Sequence, residues 1–421
     1  MDKSWTLYQK KAKNLTNFSS LDKILIKSRK GVTLLDTSSP RIKHNSSLYH
    51  IFTEYGDIII GLVSTIAAIY LHSTHHPYMS VILSAIAIGS FSITVAEIAE
   101  ILADRLEEPY ASFVLTFSAV AVEILLLFMI VREAIHSPDA LETVKGGIIS
   151  AVIVDMNVLL GLAVFIGGLS FKEQEHNEDT SSTYTTILLV ASSALLVPSI
   201  LTYTNDSHTL FEASVMIAML LGVFYIAIFI FQTKTHAHFF KATAKSRLFR
   251  IKKKFHIEDE EEDEDYFFDK LNNISNFFFM FAFILIIGIL AELFANDGIA
   301  IAKEQEISTG LAGLIIAIIA VAPELLTAIK AAKDDEIQRV INIAMGASTV
   351  SIMLTVPILM GLAFVNGIEL TLDFNAFQVG ALILTIILAW KTTDDGETNY
   401  FEGISHLMFF LGYAVIATLY K

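Results

Sequence analysis

The sequence predicts an all-α polytopic membrane protein of about eleven transmembrane helices, with two inverted five-helix repeats after one extra N-terminal helix. Three observations predict it. The 421 residues are 54% hydrophobic and only 17% charged, against roughly a quarter charged in soluble proteins. Apolar runs longer than about 18 residues recur, the length a helix needs to cross a bilayer. Finally, "AVAVEILL" (119–126) returns in the second half of the chain as "AVAPELLT" (320–327), each copy carrying one glutamate inside an apolar run. The short alternating segments of a β-barrel are absent.

The spans follow from length and apolarity. The first, 57–72, is short; 79–103, 111–132, 146–170, 185–203 and 210–232 follow it. Beyond a polar linker come 274–295, 307–331, 340–366, 374–391 and 402–420. The chain therefore divides into a basic tail (1–50), a first transmembrane helix (51–76), a first five-helix repeat (77–238), a linker that is basic and then acidic (239–273), and a second repeat (274–421). The tail is polar, carries lysines and arginines from Lys3 to Lys43 and lacks the apolar core of a signal peptide. Its stretch "LTNFSSLDKILIK" has the composition of either a basic amphipathic helix on an anionic leaflet or a disordered tail.

Charge placement orients the spans, because basic loops stay cytoplasmic. The N-terminus is basic, "KATAKSRLFRIKKK" (241–254) follows six spans later, and "KAAKDDEIQR" (330–339) two spans after that. Loops assigned outside, such as "TNDSHT" (204–209), lack Lys and Arg. These clusters flank apolar spans, so membrane topology explains them and nucleic-acid binding is not indicated. The expected location is a bacterial inner membrane with a cytoplasmic N-terminus. The acidic run "HIEDEEEDEDYFFD" (256–269) reads either as a solvated linker or as a cytoplasmic attractor of divalent cations; it lacks the spacing and glycine of an EF-hand loop. With no cysteine, disulfides, thiolate metal sites and Cys nucleophiles are excluded.

The repeat joins spans two to six with spans seven to eleven. "AVAVE" and "AVAPE" fall in equivalent spans, and "AEIL" (99–102) matches "AELF" (291–294). An odd number of spans per repeat sends the second copy into the membrane from the opposite side. Such inverted repeats characterise secondary transporters, whose substrate site lies near the midplane. Glu123 and Glu324 then meet near the bilayer centre, with Glu100 and Glu292 nearer opposite mouths, marking a cation pathway.

A mid-span acid costs roughly 3 kcal/mol on insertion scales and is by default a functional hypothesis. Carboxylates are hard oxygen ligands suited to Ca²⁺. Two of them close together cannot both ionise cheaply, so their proton uptake is coupled, and a cation between them reverses that preference. Competition of cation and protons for one site gives exchange if access alternates. Pro323 has no N–H, so it frees the carbonyl of Ile319 beside Glu324. Span nine adds the hydroxyls of Ser348, Thr349 and Ser351, and span four adds Asp155 and Asn157. For each hydroxyl alone a backbone or helix–helix bond is the commoner use. Asp155 fits a structural pairing as well as a site role. Glu97 reads as interfacial, and His236 and His238 as a span end rather than a metal site.

"EPYASFVLTFSAVAVEI" (108–124), "APELLTAIKAA" (322–332) and "QRVINIAMGASTVSIMLTVP" (338–357) resemble the cation/proton exchanger branch of the Ca²⁺:cation antiporter superfamily, and within it the bacterial ChaA type of Ca²⁺/H⁺ antiporter. "QTKTH" (232–236) and "TNYFEGISHL" (398–407) add to the resemblance, which covers about residues 55–420. It implies eleven spans, two inverted halves, and a central pair that binds Ca²⁺ or protons. Motif by motif, that pair falls on Glu123 and Glu324, and the gate-side acids on Glu100 and Glu292. The chain departs from the family pattern with Ala119-Val120 and Ala320-Val321 for Gly-Asn, Leu325 for a histidine, Val350 for a glutamine and Asp155 for an asparagine. These departures leave Na⁺ or K⁺ open beside Ca²⁺.

The function expected is exchange of cytoplasmic Ca²⁺, with Na⁺ or K⁺ as alternatives, for protons, without a bound cofactor. The partners are the bilayer and the ions, and assembly into a homo-oligomer is left open. A channel or uniporter would use the same acids without moving protons. An intramembrane hydrolase has only the acid pair in its favour, a non-transporting scaffold leaves that pair unexplained, and a pump would need a phosphate cradle that is absent.

Overall fold

In lipid a chain must satisfy its own backbone polar groups, so apolar stretches become helices. The computed structural model describes residues 46–107, 110–201, 207–236, 240 and 267–419. Among them eleven helices are long and apolar enough to cross a membrane; the chain is an integral membrane protein. Its contacts divide it into residues 1–53 and 54–421. Of the first unit only helical residues 46–53 are described, and the second holds all eleven membrane-length helices. The stretch 15–27, the basic run 241–254, His238 and residues 256–266 of the acidic run lie outside the described residues.

Helix α1 (Ser46–Ser73) has a non-helical backbone at Tyr55, with φ −124° and ψ 15°. α2 (Pro77–Arg105) starts on a proline, whose missing N–H costs nothing in a first turn. α3 (Tyr110–Glu133), α4 (Asp139–Phe171), α5 (Glu178–Leu201) and α6 (Ser207–Thr235) complete the first half. After the short α7 (Phe267–Lys270) come α8 (Asn273–Glu304), α9 (Thr309–Lys333), α10 (Ile337–Val365), α11 (Ala376–Thr393) and α12 (Tyr400–Leu419). Side chains cap several of these: Asn272 accepts from the Ser275 N–H at 2.8 Å, Ser308 from Leu311 at 3.2 Å and, at the start of α12, Asn399 from Phe401 at 3.0 Å. Asn375 and Gln378 form a reciprocal capping box.

Several helices outrun their apolar segments. α4 begins at Asp139 rather than 146, α5 at Glu178 rather than 185, and α8 ends at Glu304 rather than 295. The added turns are polar ("DALETVK", "EDTSSTY", "NDGIAIAKE"), which hydropathy discards but helix geometry accepts.

α4 occupies the centre. Of its apolar window 83% is buried, against 22% for α6 and for α12, which face outward. Glycines permit this position. A Cβ on Gly313 of α9 would stand 2.5 Å from the Gly147 nitrogen of α4, and one on Gly403 of α12 would stand 2.4 Å from the Phe165 nitrogen. Small residues at such crossings let helix backbones touch, which supplies the packing that hydrophobicity cannot supply in lipid. α2 runs along α8, and α3 packs against α2, α8, α9 and α10. At one end of the bundle, β1 (Glu173–Glu175) pairs antiparallel with β2 (Glu397–Asn399). The buried Gln174 ties this ribbon to the end of α9, donating to the Ala332 carbonyl at 3.1 Å and to Asp335 at 2.9 Å.

Two buried helices are locally underwound and widened. α4 contains a π-helical turn at Asp155–Leu160 and α10 one at Ser351–Thr355. Such turns add a residue and disturb the hydrogen-bond ladder, often where function resides. Both occur at corresponding depths of the spans that the sequence pairs as repeat equivalents, and both begin with a candidate site residue.

Candidate cation site

The site is built on one face of α10. Ser348, Ser351 and Thr355 are spaced three and four residues apart, so they line one side of the helix. The Ser348 hydroxyl donates to Asp155 Oδ2 of α4 at 3.0 Å. Those of Ser351 and Thr355 donate to Glu123 Oε2 of α3 at 2.9 Å and 3.1 Å. Two acids from two different helices are thus held beside a single stripe of hydroxyls. Glu123 is 9% exposed and Asp155 1%.

Each of these acids has one oxygen to spare. Among the described residues, Glu123 Oε1, Asp155 Oδ1 and the nearby Thr349 hydroxyl are buried and have no hydrogen-bond partner. An unsatisfied buried oxygen is costly, and in a folded protein it asks for an explanation. Glu324 is the third acid. It follows Pro323 inside α9 and is half-buried. α9 packs against both α3 and the π-helical turn of α4, the helices that carry Glu123 and Asp155. Pro323 cannot donate to the carbonyl of Ile319, a half-buried residue packed on the core. Thr327 returns a hydroxyl to the Pro323 carbonyl at 3.4 Å. No group of three or more His, Asp or Glu side chains closes tightly enough to grip a metal ion among the described residues. The three acids form a looser set of charges and free oxygens, suited to receiving a hard cation together with water, or protons.

Not every candidate joins this set. Asn157, two residues beyond Asp155, points the other way. Its amide donates to the Ile153 carbonyl at 3.1 Å and to Thr385 of α11 at 2.9 Å, and its oxygen meets His406 of α12 at 3.0 Å. Glu100 and Glu292 also stand apart from the central acids: Glu100 lies near the end of α2, whereas Glu292, expected near a span end, lies inside α8, which runs on to Glu304. Each is ion-paired across the two halves of the chain, Glu100 with Arg339 of α10 at 3.0 Å and Glu292 with Arg132 of α3 at 3.5 Å.

Some residues the sequence reading missed. Thr355 donates to Glu123, and its position four residues after Ser351 was the available signal. Lys145 is a buried cation in α4, held at 2.7 Å by Glu142 and at 2.7 Å by Asp373, which reaches it from the segment between α10 and α11. Asp57 of α1 accepts from the buried Thr94 of α2. The three-residue spacing of Glu142 and Lys145 was readable on a helix, but nothing in the local sequence pattern pointed to Asp373 or to the pairing of Asp57 with Thr94.

Against this geometry, similarity to known proteins is informative. Over 336 residues the chain is 26% identical to the sodium-potassium/proton antiporter ChaA of Escherichia coli strain K12, covering 79% of this chain and 87% of that protein. It is 25% identical over 313 residues to a Ca²⁺/H⁺ antiporter of Synechocystis, covering 70% and 78%. The solved structure of native YfkE superposes with a TM-score of 0.70 at 18% identity over 86% of this chain and 99% of that one. The H⁺/Ca²⁺ exchanger CAX gives 0.63 at 14% identity over 88% and 92%. At those identities the two structures speak to fold alone. The sodium/calcium exchanger protein family matches residues 72–234 and 275–419, which is most of the chain and all but the first of its membrane helices. The chain belongs to the sodium/calcium exchanger protein family.

Proposed function

We propose that this protein is a secondary transporter that exchanges a cytoplasmic cation for protons by alternating access, with Glu123, Glu324 and Asp155 holding cation and protons in turn. One observation carries the reading. Two buried acids on different helices are each held by hydroxyls from one face of α10, and each keeps a free oxygen. A static structural pairing would consume those oxygens. A site that must alternately bind a charged ligand and release it leaves them available.

Hydroxyl donors at Ser348, Ser351 and Thr355 stabilise the ionised acids while a cation is present. When the cation leaves, three repelling carboxylates in a low-dielectric setting take up protons instead. Binding of one ligand thereby expels the other, and Coulomb repulsion among the acids is the coupling. The freed Ile319 carbonyl and the hydroxyl of Thr349 are further oxygens within these helices. Glu100 and Glu292 serve the two mouths, and the basic N-terminus lies in the cytoplasm.

Ca²⁺ is the cation favoured, since two or three acids with neutral oxygens match its preference for charged, oxygen-rich sites. Na⁺ or K⁺ is the second reading. The observation behind it is Val120 and Val321, apolar where the family pattern carries an amide ahead of each central glutamate, and the similarity to a sodium-potassium/proton antiporter points the same way. Proteoliposomes with an imposed pH gradient and a lumenal pH dye separate these readings. Proton movement on adding Ca²⁺, lost in Glu123→Gln, supports the first. A response to Na⁺ or K⁺ only moves the assignment to the second, and no proton movement with any cation, in folded protein, rejects exchange.

A further inference from the structure

We propose that His406 is a positioning residue for cation binding, acting through Asn157 to hold the π-helical turn that carries Asp155. The proposal rests on the cation reading of Asp155 and Glu123.

Four fully or almost fully buried polar side chains from three helices form one chain: Thr385 and Thr392 of α11, Asn157 of α4, and His406 of α12. Its hydrogen-bond bookkeeping has one solution. Both amide hydrogens of Asn157 are committed, to the Ile153 carbonyl and to Thr385 Oγ1. Its oxygen, 3.0 Å from His406 Nδ1, must therefore accept, so Nδ1 carries the ring proton. Nε2 is then bare and accepts from the Thr392 hydroxyl, also at 3.0 Å. No nitrogen or oxygen of the Asn157 side chain or of the His406 ring is left over, in contrast to Asp155 two residues away.

Geometry makes this chain matter to the site. Asn157 and Asp155 share the same π-helical turn, where the regular ladder no longer fixes the backbone. α12 presses on the turn's end: a Cβ on Gly161 would stand 2.6 Å from the His406 Cβ. Among the described residues, Asp155 is held on its own side by the Ser348 hydroxyl alone. The opposite side of the turn is held by His406. Removing that hold leaves the Asn157 oxygen buried and unsatisfied, which favours rotation of the turn and displaces Asp155 from Ser348. His406 touches no cation in this scheme; Asn157 acts as a strut rather than a ligand.

The test uses full-length protein in proteoliposomes, with Ca²⁺, Na⁺ and K⁺ as probes and proton movement as readout. His406→Ala should raise the half-saturating cation concentration about tenfold, as expected for a buried acceptor left unpaired, with a smaller change in maximal rate. His406→Asn places an N–H where Nδ1 was and should restore most of the affinity, whereas His406→Gln, which mimics Nε2, should not. Asn157→Ala combined with His406→Ala should be no worse than the more severe single variant. If His406→Ala fails to fold, Thr392→Val removes only the far donor and should show the same affinity shift at smaller size. Unchanged half-saturation in both folded variants, equal rescue by Gln and Asn, or additive losses in the double variant would overturn the proposal. Wild-type protein that moves no protons with any cation would instead reject the exchange reading beneath it.

Discussion

Replacing Thr355 with valine removes one hydroxyl and little else. Thr355 is fully buried, and valine fills the same space, so the fold should survive. The loss falls on Glu123. That carboxylate accepts two side-chain hydrogen bonds, from Ser351 at 2.9 Å and Thr355 at 3.1 Å, while its other oxygen has none. The variant therefore deletes half of its side-chain hydrogen bonding. A hydrogen bond to a charged group contributes about 1.5–3 kcal/mol, and about 1.4 kcal/mol corresponds to a factor of ten. Cation binding requires the charged carboxylate, so the half-saturating cation concentration should rise roughly 10- to 100-fold at fixed pH. The assay is a cation titration of proton movement in proteoliposomes, with Thr65→Val as control. Thr65 bonds within its own helix, donating to the Gly61 carbonyl at 2.7 Å on α1, so that variant should titrate like the wild type. An unchanged midpoint in folded Thr355→Val would refute the reasoning, because it would mean that Glu123 does not bind the cation as a charged group in this site.

Three further outcomes are expected. Asp155→Asn keeps an acceptor for Ser348 but removes a charge, so apparent affinity should fall more for Ca²⁺ than for Na⁺, since the Coulomb contribution scales with ion charge; competition titrations measure the ratio. Gly313→Ala sets a methyl 2.5 Å from the Gly147 nitrogen and 2.6 Å from the Gly146 carbonyl carbon, backbone atoms that cannot swing aside. It should destabilise the protein by about 1–3 kcal/mol or more, read as a lower Tm in detergent, whereas Gly298→Ala meets nothing within 4 Å and should not. Arg339→Gln breaks a half-exposed pair with Glu100, worth at most about 1 kcal/mol, so Tm should barely move and transport at saturating cation should persist.

Much of this was legible in the sequence because lipid narrows the choices. Apolar runs in a bilayer can only be helices, so span number followed from length, and only the polar end turns of α4, α5 and α8 escaped. Glu123 and Glu324 stood out because an acid in an apolar run is improbable without a use, and twin acids in twin motifs more so. Ion pairs between distant spans left no such trace. Arg339 with Glu100, Arg132 with Glu292, and Lys145 with Asp373 join residues whose local settings look like ordinary helix ends, so only packing could reveal them.

Asn157 shows where the reasoning could have gone further. Positions two apart on a helix lie on nearly opposite faces, and a π-helical turn changes this little. Asp155 and Asn157 could therefore never both line one compact site, although both residue types suit a cation. Spacing alone required a choice between them. Making it needed the partner helix: α10 offers Ser348, Ser351 and Thr355 on one side of the turn, while α11 and α12 offer Thr385 and His406 on the other. The hydroxyl stripe was readable as i, i+3, i+7 on α10, and a row of donors makes stronger hydrogen bonds to an ionised carboxylate, which only accepts, than to a neutral amide. That favours the carboxylate over the amide. The same reasoning leaves Asn157, which both donates and accepts, to the side where a histidine and a threonine can answer both needs. The polar residues of α4 at this turn thus separate by chemistry into a charged side turned to the Ser348 hydroxyl of α10 and a neutral side tied to Thr385 of α11 and His406 of α12.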